Sequence, residues 1–154
     1  MTYYIDVKDS RNKFSAAHFL LLEKNHKCSR LHGHNYTVNI SIQGPLDKDY
    51  FVVDFVKVKQ KLQDIVEVLD HHILIPTKSD NLKFKIMNEE VSIDAAGKKY
   101  VLPKGDICFL PIPATTSENL AKYIFDLIKP EFEKYKLKVS VGETSITKAV
   151  YQEG

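Results

Sequence analysis

The sequence predicts an α+β fold, in which β-strands near both ends of the chain flank two amphipathic helices. Three observations predict it. Residues 34–43 alternate between apolar and polar side chains, and residues 55–69 and 120–128 each carry apolar side chains at three- and four-residue intervals. A chain of 154 residues is long enough to build a single domain, 1–154, around its own core.

The N-terminal part of the chain predicts strands. In the stretch HNYTVNISIQ at 34–43, apolar residues share one parity and polar residues the other, which is typical of a half-buried strand. The opening segment is a weaker strand candidate that breaks near 9–12, after which Phe14, Ala16 and His18 share a face if the chain stays extended. A polar loop at about 23–30 separates the two segments.

Two helices are predicted from the apolar stripes. The first covers about 55–69. The second covers 120–128 and follows the sequence TTSEN, in which Thr115 or Thr116 is the expected N-cap and Glu118 the residue that closes a capping box.

The remaining segments predict more β-structure. The long insert at about 76–113 contains β-type pieces with a hairpin turn expected around 95–98. The chain closes with two short runs of β-type residues around 142–145, which we expect to form an antiparallel pair.

Composition excludes several classes of function. The net charge is only +2 and the basic residues do not gather in a run, so we expect no nucleic-acid partner. No apolar stretch reaches membrane-spanning length and the polar start lacks the sections of a signal peptide, so the sequence predicts a cytoplasmic protein without a membrane partner. Cys28 and Cys108 are predicted to be thiols, too few for a Cys-type zinc site.

The histidines give the strongest chemical pattern. His32 and His34 stand two apart at the start of a predicted strand, so their imidazoles project from one face and can reach one ion. His18 ends a segment that can lie alongside, and three neutral imidazoles leave the fourth tetrahedral position of Zn²⁺ open, as a catalytic site requires. Taken alone, HGH is more often a turn with two solvated histidines.

Cys28 lies four residues before His32 with Lys27 and Arg30 nearby, and positive neighbours favour the reactive thiolate. Cys28 is therefore a candidate base or nucleophile, and a passive loop cysteine is the alternative.

Two further positions carry candidate chemistry. Asp70 precedes His71 after the first helix, which is a usual orienting pair for a catalytic imidazole, although a helix C-cap explains both residues equally well. Glu143 follows Gly142 at a turn, where a carboxylate can accept the paired N–H donors of a guanine-like ring. A solvated turn residue is the ordinary alternative.

These patterns occur together in one order: FSAAH at 14–18, CSRLHGHNY at 28–36, VDF at 53–55, LDHH at 69–72, TSEN at 116–119 and GET at 142–144. Together they resemble the 6-pyruvoyltetrahydropterin synthase family across almost the whole chain. The resemblance implies a tunnelling fold, with a four-stranded antiparallel sheet, two helices on one face, and trimers or hexamers with sites between subunits.

The resemblance also implies three groups of site residues: ligands of a Zn²⁺ cofactor, catalytic residues and substrate-binding residues. They are, in that order, His18, His32 and His34; Cys28, Asp70 and His71; and Glu143, Glu118 and Thr116.

Within the family, the spacing C-x-x-x-H-G-H is similar to that of the 6-carboxytetrahydropterin synthase branch. The implied reaction converts 7,8-dihydroneopterin triphosphate to 6-carboxytetrahydropterin, acetaldehyde and triphosphate. A pyruvoyl product, an aldolase activity and a non-catalytic pterin or purine binder are the alternatives. The 76–113 insert and His72 depart from the usual pattern.

Overall fold

The computed structural model describes residues 1–22 and 26–154, which form two α-helices and two β-sheets. The helices are α1 (Phe55–Leu69) and α2 (Ser117–Ile128). The strands are β1 (Tyr3–Val7), β2 (Lys13–His18), β3 (His32–Gly44), β4 (His72–Pro76), β5 (Leu82–Met87), β6 (Glu90–Ala95), β7 (Lys98–Pro103), β8 (Ile107–Leu110), β9 (Lys136–Gly142) and β10 (Ala149–Gln152). The predicted loop at 23–30 lies partly outside the described residues.

The main sheet has the order β10-β9-β3-β2-β4-β8, and β1 also pairs with β3. The predicted strand break near 9–12 is confirmed, because β1 and β2 pair with successive parts of β3 on either side of it. The C-terminal antiparallel pair, β9 and β10, is also confirmed.

The sheet contains two strands beyond the predicted antiparallel set. β4 pairs in parallel with β2, and β8 pairs in parallel with β4. The sequence of β4, HILIP, is a short apolar run without alternation, which is typical of a strand that neighbours cover on both faces. The α+β fold class is confirmed, with a sheet wider than expected.

Both helices pack on one face of this sheet. The face is formed by alternate residues of β3, including Tyr36, Val38 and Ile40, which are fully buried in one cluster with the apolar stripes of α1 and α2. The helix boundaries agree with the predicted stripes, and α2 begins three residues earlier than its stripe.

The predicted capping box of α2 is wrong. Thr116 is the N-cap, and its side chain accepts from the backbone N–H of Asn119, so Asn119 and not Glu118 occupies the third helical position. The Asn119 side-chain amide also donates to Thr116 Oγ1 at 3.0 Å. Thr115 is fully buried elsewhere, against His18.

The insert folds into a separate three-stranded antiparallel sheet, β5-β6-β7. The predicted hairpin turn lies between β6 and β7, where Ala96 and Gly97 both have positive φ (53° and 89°), as a tight two-residue turn requires. One face of this sheet builds a second core with Phe19 and Ile75. Cys108, which lies within 76–113, belongs to β8 of the main sheet.

No helix among residues 1–22 and 26–154 is long and apolar enough to cross a bilayer.

Candidate metal centre and active site

Three histidines converge where β2 ends and β3 begins. Antiparallel pairing sets His18 directly opposite His32, and His34 follows on the same face of β3. One potential ligand atom of each histidine lies within 4.8 Å of the others. The Nε2 atoms of His18 and His32 are 3.1 Å apart. The sequence-predicted ligand group is therefore brought together by strand register.

Hydrogen bonds fix the tautomers of two of these imidazoles. His18 Nδ1 lies 3.0 Å from the Thr115 carbonyl oxygen, and His32 Nδ1 lies 2.6 Å from the Arg30 carbonyl oxygen. A carbonyl only accepts, so each Nδ1 carries a proton, and in the neutral imidazole each Nε2 then presents a lone pair.

The two facing lone pairs repel one another unless a cation lies between them. Two nitrogens bound to one Zn²⁺ in a tetrahedral arrangement are about 3.3 Å apart, close to the 3.1 Å that separates Nε2 of His18 from Nε2 of His32. Each Nδ1–H bond to a carbonyl is the usual support of a metal-binding histidine. The donor set therefore fits a metal ion.

Burial keeps His18 in the form that binds metal. Its pKa is lowered to about 4 by burial and by the nearby His32 and His34. Its imidazole is therefore neutral at neutral pH and retains the lone pair on Nε2.

Two supporting residues were not among the predicted site residues. Thr115 Oγ1 lies 3.0 Å from His18 Nδ1, and the fully buried Tyr36 hydroxyl lies 3.4 Å from both nitrogens of the same ring. Burial, together with Glu143, raises the pKa of Tyr36, so its hydroxyl stays protonated. Because Tyr36 stands two residues after His34 on β3, both side chains point to the same face. This spacing was the sequence feature that could have indicated Tyr36 as a site residue.

Cys28 lies beside the histidines without joining them. It occupies a single 3₁₀ turn, Lys27–Ser29, and its carbonyl accepts from the N–H of Leu20 at 2.8 Å, which ties this turn to the segment after His18. Among the described residues the metal-ligating group contains three histidines and no cysteine. This arrangement favours an open site over a closed structural one.

Asp70 and His71 form the predicted pair. Asp70 Oδ2 lies 2.7 Å from His71 Nδ1, and Asp70 Oδ1 accepts from the Ser15 N–H at 2.7 Å. These contacts lower the pKa of Asp70, and the hydrogen bond from the Ser15 N–H has the largest effect. The capping alternative also holds, because the Asp70 N–H donates to the Val66 carbonyl at the end of α1.

This pair and Cys28 are hydrogen-bonded to opposite ends of the segment 15–20. His71 donates its backbone N–H to the Ser15 carbonyl, whereas the Cys28 carbonyl accepts a hydrogen bond from the Leu20 N–H. Ser15 and Leu20 are five residues apart, and five residues of extended chain cover about 16 Å. The His71 side chain is 82% exposed. His72 is bonded to the Asp70 carbonyl through Nδ1 at 2.7 Å and stands outside the metal group.

The three predicted substrate-binding residues line one cavity of about 400 Å³. Glu143, Glu118 and Thr116 share it with Leu20 and Lys148. Glu143 Oε2 lies 3.8 Å from His34 Nε2, so this cavity adjoins the metal group. The Thr116 hydroxyl is already engaged as the N-cap of α2.

The sequence profile described as 6-pyruvoyl tetrahydropterin synthase matches residues 8–154 of the chain. The chain belongs to this family. The predicted resemblance, and the prediction that the chain is a lyase, are therefore confirmed.

Relatives and solved structures agree with this assignment. The chain is 33% identical over 144 residues to the 6-carboxy-5,6,7,8-tetrahydropterin synthase of Bacillus subtilis, covering 90% of this chain and 79% of the relative. It is 31% identical over 135 residues to the enzyme of that name from Aquifex aeolicus, covering 82% and 76%. The crystal structure of 6-pyruvoyl tetrahydropterin synthase from Plasmodium vivax superposes with a TM-score of 0.91 at 26% identity, covering 99% of this chain and 98% of that one.

Proposed function

We propose that this synthase-family chain converts 7,8-dihydroneopterin triphosphate and water to 6-carboxytetrahydropterin, acetaldehyde and triphosphate. The observation that carries the proposal is the position of Glu143, 3.8 Å from His34, at the junction of a metal-binding group and a carboxylate-lined cavity. The names of the B. subtilis and A. aeolicus relatives and the C-x-x-x-H-G-H spacing support the carboxy product.

We assign the metal as zinc held by His18, His32 and His34. When bound, Zn²⁺ supplies a Lewis acid that polarises the side-chain hydroxyls of the substrate and acidifies the neighbouring C–H bonds. We expect about one zinc per purified chain. His32→Ala should lose it, whereas His72→Ala, which changes a histidine outside the group, should keep it. Full zinc occupancy in His32→Ala would contradict the assignment.

Glu143 anchors the pterin ring in this proposal. Its carboxylate accepts the paired N–H donors of the ring through charge-assisted hydrogen bonds. Because Glu143 adjoins His34, a ring bound there directs its side chain toward the three histidines. Glu118 and Thr116 form further parts of the same cavity wall.

Cys28 and His71 move protons to and from the substrate side chain, with Asp70 holding the imidazole through Nδ1. The separation of Cys28 from His71 along one chain, and the 82% exposure of the His71 side chain, support a site that two copies of the chain complete. We therefore propose a trimer or hexamer with shared sites. A cytoplasmic location stays a prediction.

Shared sites can be tested by complementation. Cys28→Ala and His71→Ala variants should each be inactive, and a hexamer reassembled from a mixture of both should regain part of the activity, because some interfaces then hold one intact Cys28 and one intact His71. Reassembled single variants are the controls. A mixture that stays as inactive as its components would contradict the shared site.

The reaction itself is tested by product analysis. Purified protein incubated with 7,8-dihydroneopterin triphosphate should release acetaldehyde and 6-carboxytetrahydropterin. A second candidate, formation of 6-pyruvoyltetrahydropterin, is favoured by the likeness to the P. vivax structure of that name. It predicts release of triphosphate without acetaldehyde.

A further inference from the structure

A second cavity lies beside the metal centre, between the insert and the turn that carries Cys28. Its volume is about 720 Å³. One wall comes from the segment after His18 and from the Cys28 turn, and the other from the β6–β7 hairpin of the insert and from Asn81, which precedes β5. The lining residues are Phe19, Leu20, Leu21, Leu22, His26, Ser29 and Arg30 on the first wall, and Asn81, Ala95, Ala96 and Lys98 on the second.

Among the residues that the structure describes, this cavity is lined by two cations and by no carboxylate. Arg30 and Lys98 both line it, and its described lining residues include no Asp or Glu. Neither cation forms a salt bridge with a carboxylate in the part of the chain that the structure describes. Two such cations lining one cavity attract an anion.

Lys98 is held toward the cavity by two contacts of β7. Its Nζ donates to the Ser29 carbonyl at 2.8 Å, which uses one of its three N–H donors. Tyr100, two residues along the same face of β7, stacks on Phe19 with a centroid distance of 5.0 Å and an interplanar angle of 3°. Phe19 directly follows the metal-site residue His18, so the insert is anchored against the metal centre.

The two cavities on either side of Leu20 have opposite character. Leu20 lines both of them. One contains two carboxylates, Glu143 and Glu118, together with Lys148, and suits a ring rich in N–H donors. The other contains Arg30 and Lys98 and suits an anion. A molecule with a purine-like head and an anionic tail matches this polarity, with its linking carbons near Leu20.

We propose that the cavity between the insert and the Cys28 turn binds the phosphate chain of the substrate, with Lys98 and Arg30 as its charged contacts. This proposal rests on the proposed function for the identity of the substrate. It assigns a role to the insert, which supplies one wall and one cation of the phosphate site.

Inorganic tripolyphosphate is the direct probe. Calorimetric titration of the purified full chain should detect binding that weakens as salt is added, because salt screens exposed charges. Lys98→Met should weaken this binding about tenfold, the loss expected for one hydrogen bond to a charged group. Lys98→Arg should restore most of it. Lys99→Met is the matched control, because Lys99 faces the other side of the same hairpin, opposite Asp94. The affinity of Lys99→Met for tripolyphosphate should equal that of the wild type.

Equal affinities in the wild type, Lys98→Met and Lys99→Met would overturn the proposal. That outcome would also arise if tripolyphosphate bound only to the metal. Lys98 could instead act only by tethering the Cys28 turn through Ser29. In that case Lys98→Met would lower kcat with unchanged tripolyphosphate affinity, which likewise overturns the phosphate site.

Substrate comparison separates this proposal from the proposed function. In Lys98→Met, the KM for 7,8-dihydroneopterin triphosphate should rise while binding of unphosphorylated dihydroneopterin stays unchanged. If the wild type forms neither product but binds tripolyphosphate through Lys98, the proposed reaction fails and the phosphate site stands. If it forms the carboxy product and Lys98→Met binds tripolyphosphate normally, the reaction stands and the phosphate site fails.

Discussion

His18 donates its Nδ1 proton to the carbonyl oxygen of Thr115 at 3.0 Å, and Thr115 Oγ1 lies at the same distance from that nitrogen. Thr115 is fully buried and immediately precedes the N-cap of α2. The start of this helix therefore holds the imidazole whose other nitrogen faces His32. Helix position and metal-ligand orientation are coupled through one residue.

Thr115→Val should weaken zinc binding. The change removes Oγ1 but leaves the carbonyl, so we expect a loss of about tenfold, at the lower end of the range for residues that support a metal ligand. Competition with a zinc chelator measures it. Thr116→Val is the comparison variant: it removes the N-cap and should cost about 1 kcal/mol of folding free energy, with a smaller loss of zinc affinity than Thr115→Val. Equal zinc affinity in Thr115→Val and the wild type would show that the Thr115 hydroxyl does not support the metal ligand.

Glu143→Gln should weaken pterin binding by about 1.5–3 kcal/mol, because the amide removes the charge that strengthens the hydrogen bonds to the ring. Fluorescence titration with dihydroneopterin measures the affinity. Zinc content should be determined alongside, since Glu143 adjoins His34. Glu118→Gln, which changes another carboxylate of the same cavity, should have the smaller effect. If Glu118→Gln has the larger effect, the anchor is Glu118.

Cys28→Ala should keep zinc and bind substrate nearly normally but lose turnover by about 10²- to 10⁴-fold, the usual contribution of a general acid or base. Product formation and metal content are measured on the same preparation. Cys108→Ala is the control. Cys108 lies on β8, where burial raises the pKa of its thiol and reduces its reactivity, so activity should persist.

Alkylation of the wild type should inactivate it through Cys28. Near wild-type turnover in Cys28→Ala would remove the catalytic role, and loss of zinc would make Cys28 a fourth ligand.

Asp70→Asn should reduce stability in a pH-dependent way. The contacts of Asp70 lower its pKa in the folded chain, so the unfolded chain binds the proton more readily. The stabilisation is present above the unfolded pKa of about 3.9 and is lost as pH falls through the lower folded value. Denaturant unfolding of metal-free protein should show a deficit of about 1 kcal/mol at pH 7 that shrinks below about pH 4. A deficit independent of pH would show that the charge of Asp70 is not involved.

Elements whose residues repeat with a clear period were predictable from local sequence. The alternation from 34 to 43 predicts which face of β3 is buried. The spacing of two residues predicts that His32 and His34 lie on one side of that strand. The apolar stripe of 55–69 marked α1. These predictions succeed because side-chain direction in a strand or helix follows from local backbone geometry. The order of the motifs along the chain was also sufficient to predict the family.

Which segments lie side by side could be read from the folded chain alone. The parallel pairing of β4 with β2 and β8 leaves no local period in the sequence, because neighbouring strands cover both faces of β4. The choice of Thr116 over Thr115 as N-cap depended on the burial of Thr115 against His18, a contact across 97 residues. The approach of Lys98 to Ser29, 69 residues away in the chain, likewise follows from how the insert packs on Phe19. Such contacts depend on the burial of apolar surface by the whole chain, which no short stretch of sequence contains.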